Sequence, residues 1–359
     1  MRKAILSISL FILIFTCPSF GQTTDTDQLI KEGVALHDKG NYREAIEKYI
    51  EALKINSQSM KATYELSLSY LALKDYKNAM KYSTTVINSN DKLLSPGAYA
   101  VKSEALAETG KVDEAIELLK EGLVKNGDAH LLHFNMALNY YKKGNTENSL
   151  RHAKKAIDLN KSHSGSFLLN AYLLNDKGWW IESCLSFQMF LLLEPDSERS
   201  KAAFEELLRT MQIKKDTEPI HRSFVQEQIS RVKTNETTPK QLPLLTTDNG
   251  IDYRAIYQVI TTTLDSLNNT PAIKDDFILF KTVNGAILRE LENESKTQKK
   301  GTFWTFYVPF FSRIRHSEYF DAFCHYISVS YFPESFDWWQ NNTDAAINFI
   351  LWFEKGNED

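Results

Sequence analysis

Basic charge is in short supply in this chain: 42 Lys and Arg stand against 46 Asp and Glu, a formal charge of −4. Nucleic-acid binding needs a basic footprint that displaces counterions, so nucleic acid is set aside as a partner. The small clusters Lys214 and Lys215, and Lys296, Lys299 and Lys300, read as solvated loop charges. Long apolar runs are missing too, because the stretch 4–15 is shorter than the ~20 residues a bilayer span needs. Three cysteines in 359 residues leave at most one bridge, Cys184 to Cys324, once Cys17 is removed with a leader. Both remaining cysteines sit in apolar helical contexts, where buried free thiols are expected. Strand alternation is nearly absent, and the mature chain reads as all-α. HExxH, GxSxG and Gly-rich phosphate motifs are absent, so neither an enzyme nor a cofactor is expected.

What is present is a beat. Gly40, Gly110, Gly144 and Gly178 fall at multiples of about 34 residues, with Lys74 at the second position. Small residues keep the same period at Gly33, Ser67, Ser103, Ala137 and Ala171, and again at Ala45, Ala79, Ala115, Ser149 and Ser183. Paired helices with axes ~8–10 Å apart need small side chains where they approach most closely. The period and the paired small residues predict tandem helix-turn-helix units with one turn per unit.

In its residues the stretch 29–58, with Gly33, Gly40, Tyr42, Ala45, Tyr49 and Ala52, resembles the tetratricopeptide repeat family. Later copies keep Tyr76 and Ala79, Gly110 and Ala115, Ala137, Gly144, Ala153 and Ala156, and Ala171, Gly178, Phe187, Phe190 and Pro195. The resemblance covers about residues 26–196 and implies five repeats, a helical superhelix and a non-enzymatic role in binding proteins. Ser83 and Val86 depart from the pattern, and two extra residues near Ser95, Pro96 and Gly97 lengthen one connection. The Ser-Pro pair reads as a helix start, which puts the insertion in a loop.

The resemblance also implies that the first helix of each pair lines an inner face. By register that face holds Ile30, Val34 and His37, then Tyr64, Leu68 and Leu71, Glu104 and Glu108, Phe134, Leu138 and Tyr141, and Leu168, Tyr172 and Asn175. The strip is largely apolar and aromatic, which suits an amphipathic helix or an extended apolar peptide. Family members that clamp a peptide carboxylate use lysine and asparagine on this face. Ile30, Val34 and Glu65 occupy the corresponding positions here and offer no cation.

The remaining organisation follows from composition. Residues 1–21 carry Arg2 and Lys3, the apolar run and Ser19-Phe20-Gly21, the pattern of an export signal cut before Gln22. Periplasmic or extracellular placement is the expectation; lipidation of Cys17, with a place in an outer-membrane assembly, is the alternative. Residues 197–233 read as capping helices, one bearing Ala203, Phe204, Leu207, Leu208 and Met211 and the other running from Pro219 to Lys233. Residues 234–250 read as a linker and 251–359 as a smaller aromatic-rich helical domain.

That last segment invites three other readings: tryptophans stacking on sugar, a cleft of converging acids among Asp321, Glu334 and Asp337, or a cysteine hydrolase of Cys324, His325 and Asp321, against which Cys324 and His325 point to different helix faces. Rings at helical spacing favour a packed interior. His130 and His133, three apart on a helix, lack the further ligands a metal site needs.

Overall fold

A computed structural model describes residues 25–211, 213, 250–268, 275–297 and 300–355. The expected leader, the helix at 219–233 and all of the expected linker but Gly250 lie outside the described residues. Among the described residues there are seventeen α-helices, one π turn and no strand. One compact unit ends at Thr109 and a second begins at Gly110.

The first unit holds α1 (Asp25–Asp38), α2 (Tyr42–Ile55), α3 (Met60–Ala72), α4 (Tyr76–Asn88) and α5 (Ser95–Glu108). Its turns follow the sequence beat. Gly40 adopts φ +79°, and Lys74 takes the same left-handed turn at φ 61°, a conformation that costs a residue with a Cβ about 1–2 kcal/mol. Small residues mark close approaches: a Cβ added to Gly33 would lie 2.4 Å from the Tyr49 ring, and one added to Gly97 would lie 2.4 Å from the Tyr64 hydroxyl. Ala45, Ser67, Ala79 and Ser103 are fully buried. The inserted residues form the turn before α5. There Asp91 Oδ1 accepts from the backbone N–H groups of Leu93 and Leu94, and Pro96 sits in the first turn of the helix, where its missing N–H costs nothing.

The second unit opens with α6 (Val112–Asn126), α7 (His130–Lys142), α8 (Thr146–Leu159), α9 (Ser164–Asp176), α10 (Trp180–Leu193) and α11 (Glu198–Thr210). Gly110, Gly144 and Gly178 all have positive φ. Side-chain hydrogen bonds tie the small-residue contacts of two hairpins: Ser149 donates to the Ala137 carbonyl at 2.7 Å, and Ser183 donates to that of Ala171 at 2.8 Å. A serine at these positions satisfies a carbonyl while keeping the helices close.

After residue 250 come α12 (Tyr253–Asn268), α13 (Asp276–Ser295), a π turn (Phe303–Tyr307), α14 (Val308–His316), α15 (Phe320–Ile327), α16 (Pro333–Asn341) and α17 (Thr343–Lys355). Composition alone suggests a separate domain here. The helices instead share one core with the fifth hairpin: a single cluster runs from Phe167, Leu185, Phe187 and Phe190 through Phe204 to Phe280, Phe311, Phe323 and Phe349. The cause is α10, which buries thirteen of its fourteen residues. A helix that is apolar all round must be covered on every side, and in this unit α11 and α13 help to cover it. Two buried polar contacts pin the cover. Gln188 and Asn284 exchange reciprocal amide hydrogen bonds of 3.0 Å, and the Tyr253 hydroxyl donates to Glu182 Oε2 at 2.6 Å.

Candidate functional site

In the first unit the expected inner-face residues divide. Ile30 is core, 1% exposed, and packs with Ala45, Tyr49 and Leu66, so it offers nothing to a ligand. Val34, His37, Tyr64, Leu68 and Leu71 are half-buried. His37 Nδ1 lies 2.7 Å from Ser69 Oγ on α3, and burial lowers its pKa. Tyr64, Leu68 and Leu71 pack against the cluster of Ala79, Val101 and Ala105 and stay partly exposed. Glu104 and Glu108 are exposed. Glu65 is half-buried, and burial raises its carboxyl pKa, which disfavours the anion at this position.

In the second unit Tyr141 and Tyr172 are 46% and 37% exposed, unusually high for large rings on packed helices. Phe134, Leu138 and Leu168 are half-buried beside them, and Phe134 meets His163 edge-on at 4.7 Å. Asn175 is not on the open face: it is 8% exposed and donates from Nδ2 to Glu206 Oε1 of α11 at 3.0 Å. The capping helix therefore adds Glu206 and its partner Arg209 to this end of the strip, which the repeat register could not indicate. Burial, and then the Glu206 charge, raise the Tyr172 pKa.

The other sequence candidates are structural. His133 and His152 face each other with Nδ1 atoms 2.8 Å apart, and His133 Nε2 lies 3.3 Å from Asp128. His130 contacts Asn160 instead of His133, and among the described residues no group of three metal-ligating side chains converges. His325 is sandwiched between Phe277 and Trp338, with ring centroids at 3.9 and 4.6 Å, and contacts Ser335 through Nδ1. Cys184 and Cys324 are unbridged and fully buried, and burial pushes both thiols well up. Asp321 pairs with Lys281, whereas Glu334 lines an open cleft with Asp275, Asp276 and Glu205, so the expected acid trio does not assemble. Trp338 packs on His325 and Trp339 on Tyr326, both half-buried.

A cavity that the sequence did not forecast, of 220 Å³, lies among α8, α9, α10 and the π turn, lined by Lys154, Ile157, Asp158, Asn170, Leu174 and Glu182 on the repeat side. Gly301, Thr302, Phe303 and Tyr307 close the other wall. Asn170 and Glu182 are 3% and 4% exposed. Asn170 donates its amide N–H to Ser186 at 3.0 Å, and its carbonyl oxygen is buried without a partner. The signal was faint but present: one amide inside FLLNAYLL and one acid inside WIESCLSF, each in a largely apolar stretch.

Models of the tetratricopeptide repeat match residues 30–84 and 131–163, which are the first two hairpins and the fourth. Among curated proteins, mitochondrial import receptor subunit TOM34 of Pongo abelii is 41% identical over 76 residues, 21% of this chain and 24% of the relative. The human protein of that name is also 41% identical over 76 residues. The chain thus spans about a quarter of the length of these relatives. Among solved structures, a thermophilic TPR protein of Thermus thermophilus is 22% identical with a TM-score of 0.46, over 52% of this chain and 99% of that one. The structure from the functional characterization of Pseudomonas aeruginosa pilF is 18% identical with a TM-score of 0.42, over 54% of this chain and 86% of that one. Repeats of this kind act as protein-interaction scaffolds. Among the described residues no helix is long and apolar enough to cross a membrane. The chain carries tetratricopeptide repeats, with repeat models seated on its first two hairpins and its fourth and a C-terminal helical segment that neither model reaches.

Proposed function

We propose that this protein is a non-enzymatic scaffold that holds a peptide or the apolar segment of a partner protein on the inner helices of its repeats. The observation that carries the reading is the exposure of Tyr141 and Tyr172 on the first helices of the fourth and fifth hairpins, beside half-buried Phe134, Leu138 and Leu168. Rigid aromatic rings left open on packed helices bind at low entropic cost, and such anchors dominate protein interfaces. A photo-crosslinking residue placed at 141 or 172 is expected to capture a defined partner, and one at Ile55, exposed on α2, is expected not to. Replacing both tyrosines with alanine is expected to weaken partner retention at least tenfold while the chain keeps its helical circular dichroism, with some loss of stability because Tyr172 packs edge-on against Phe187. Equal retention by the doubly substituted chain would overturn the assignment.

The same reading places the scaffold outside the cytoplasm, in the bacterial envelope, on the strength of Arg2, Lys3, the apolar run and Ser19-Phe20-Gly21. Intact-mass measurement of the exported chain tests this. A mature N-terminus at Gln22 supports cleavage, a lipid-bearing Cys17 supports the lipoprotein alternative, and retention of Met1 defeats both.

A further inference from the structure

The two helices of the fourth hairpin are tied by a chain of polar contacts centred on the buried rings of His133 and His152, 6% and 5% exposed, with Nδ1 atoms 2.8 Å apart and ring centroids at 5.1 Å. At one end Arg151 Nη2 lies 3.2 Å from His152 Nε2. At the other, His133 Nε2 lies 3.3 Å from Asp128 Oδ1, and Lys155 meets Asp128 Oδ2 at 2.7 Å. These ends fix every proton between them. A guanidinium can only donate, so His152 Nε2 accepts and the proton of that ring sits on Nδ1. An ionised carboxylate can only accept, so His133 donates from Nε2 and keeps a lone pair on Nδ1. His152 Nδ1–H therefore donates to His133 Nδ1, and the contacts run in one direction from Arg151 on α8 through both rings to Asp128 before α7. Both rings are neutral in this arrangement. Reversing the tautomers would set a lone pair against the carboxylate and an N–H against the guanidinium.

Further protons have two places to go. One on His152 Nε2 displaces the exposed Arg151 and leaves the bridge between the rings intact. One on His133 Nδ1 destroys the bridge, and two imidazolium rings then face each other in a buried seam, which is costly. Burial lowers the pKa of both rings; the Arg151 charge lowers that of His152 further, and Asp128 partly opposes the shift of His133. The neighbouring elements add little charge. Tyr140 of α7 stacks on His152 with centroids at 5.5 Å, and on α6 Lys120 pairs with Glu117 and interacts with Tyr140, while Asp113 pairs with Lys143. On the other side, His163 before α9 packs on His130, and α9 carries no charged residue until Asp176 at its C-terminal end.

We propose that the His133 and His152 pair is an acid-released latch: as neutral rings it closes α7 onto α8, and on protonation it frees the hairpin together with Phe134, Leu138 and Tyr141, the part of the strip that α7 carries. The closed rings hold protons less readily than the open chain, whose histidines titrate near ~6.5, so the latch is fully closed above that pH and gives way as the pH falls. Loss of a bound partner in acid rests on the scaffold reading above; the latch itself does not.

The test uses the full mature chain. Nitrogen NMR of histidine-labelled protein at pH 7.5 is expected to find His152 protonated on Nδ1 and His133 on Nε2, with a through-bond coupling between the two Nδ1 atoms. Hydrogen exchange, corrected for its intrinsic pH dependence, is then followed from pH 7.5 to 4.0. Segments 130–142 and 146–159 are expected to lose protection at least ~tenfold while α10 keeps its own. Asp128→Asn removes the charge that favours a proton on the closed His133 ring, so the opening midpoint rises by about 0.2–0.7 pH unit; Arg151→Gln keeps an N–H donor, removes the opposing charge and lowers the midpoint by a similar amount. Both positions are exposed, so the chain folds with either substitution. Glu147→Gln, on α8 but outside the chain of contacts, leaves the midpoint in place. The opposite tautomers, unchanged protection of α7 and α8 down to pH 4.0, simultaneous loss of protection in α10, or midpoint shifts of one sign in both variants would overturn the proposal. A photo-crosslinking residue at 141 reads the consequence: capture at pH 7.5 that is lost once exchange shows the hairpin open supports release of the strip, and capture that persists defeats it. No capture at either pH counts against the scaffold reading alone, since exchange still decides the latch.

Discussion

The reciprocal amide pair between α10 and α13 offers a quantitative test of how the C-terminal helices are joined to the repeats. Gln188 and Asn284 are 1% and 0% exposed, 96 residues apart in sequence, and each donates to the other at 3.0 Å. Replacing Asn284 with leucine leaves the Gln188 oxygen and N–H without partners in a dry interior. At about 1–3 kcal/mol per orphaned group, the substitution costs about 2–6 kcal/mol. Gln188→Met, close to the original in shape, imposes a similar penalty from the other side. The double substitution orphans nothing and is expected to fall within about 1 kcal/mol of the parent, giving a coupling of about 2 kcal/mol or more.

All six tryptophans, at 179, 180, 304, 338, 339 and 352, lie after Gly110, so tryptophan fluorescence reports on the second unit alone. Urea titrations followed by that signal, compared at equal slope, give the four free energies directly. If the two single substitutions are each nearly silent, or if the double substitution costs their sum, the pair does not hold α13 to α10 and the shared-core description fails.

Three further outcomes follow from the same structure. Gly33→Ala drives a methyl group to 2.4 Å from the buried Tyr49 ring and is expected to cost about 1–3 kcal/mol, while Gly40→Ala, with nothing within 4 Å but φ +79°, is expected to cost about 1 kcal/mol. Far-UV circular dichroism on heating measures both, and a silent Gly33→Ala would contradict the close approach. Burial lowers the pKa of His133 and brings His152 and His325 down to about 4, so the unfolded chain takes up protons first as pH falls. Stability from these groups is complete above the ordinary histidine value of about 6.5 and declines from there to about pH 4; a fluorescence-monitored unfolding temperature that stays flat between pH 7.5 and 4.5 would refute it. Cys184 and Cys324 are expected to resist a thiol reagent at pH 8 in the folded chain and both to react in guanidinium, whereas rapid labelling of the folded form would show that the core is open.

Turns and close helix contacts were legible because they are local. A left-handed turn every ~34 residues selects glycine, and Lys74, in the same register, adopts the same φ region. Fully buried Ala45, Ala79, Ala137 and Ala171 were equally legible, since a helix crossing admits only small side chains. Register could single out one helix face in each repeat, but not which residues of that face stay open. Ile30 and Val34 are one turn apart on α1, yet Ile30 is core and Val34 is half-buried. Asn175 is claimed by Glu206, a residue beyond the last repeat.

The all-α class, the hairpin period and the positions where helices touch are all written locally, because each depends on residues within one turn or one repeat. The enclosure of α10 by helices far further along the chain, and the cavity that Asn170 and Glu182 share with Phe303 and Tyr307, arise in long-range packing. Contacts across such separations depend on which apolar faces remain uncovered after local packing, and no periodicity in the chain encodes that remainder.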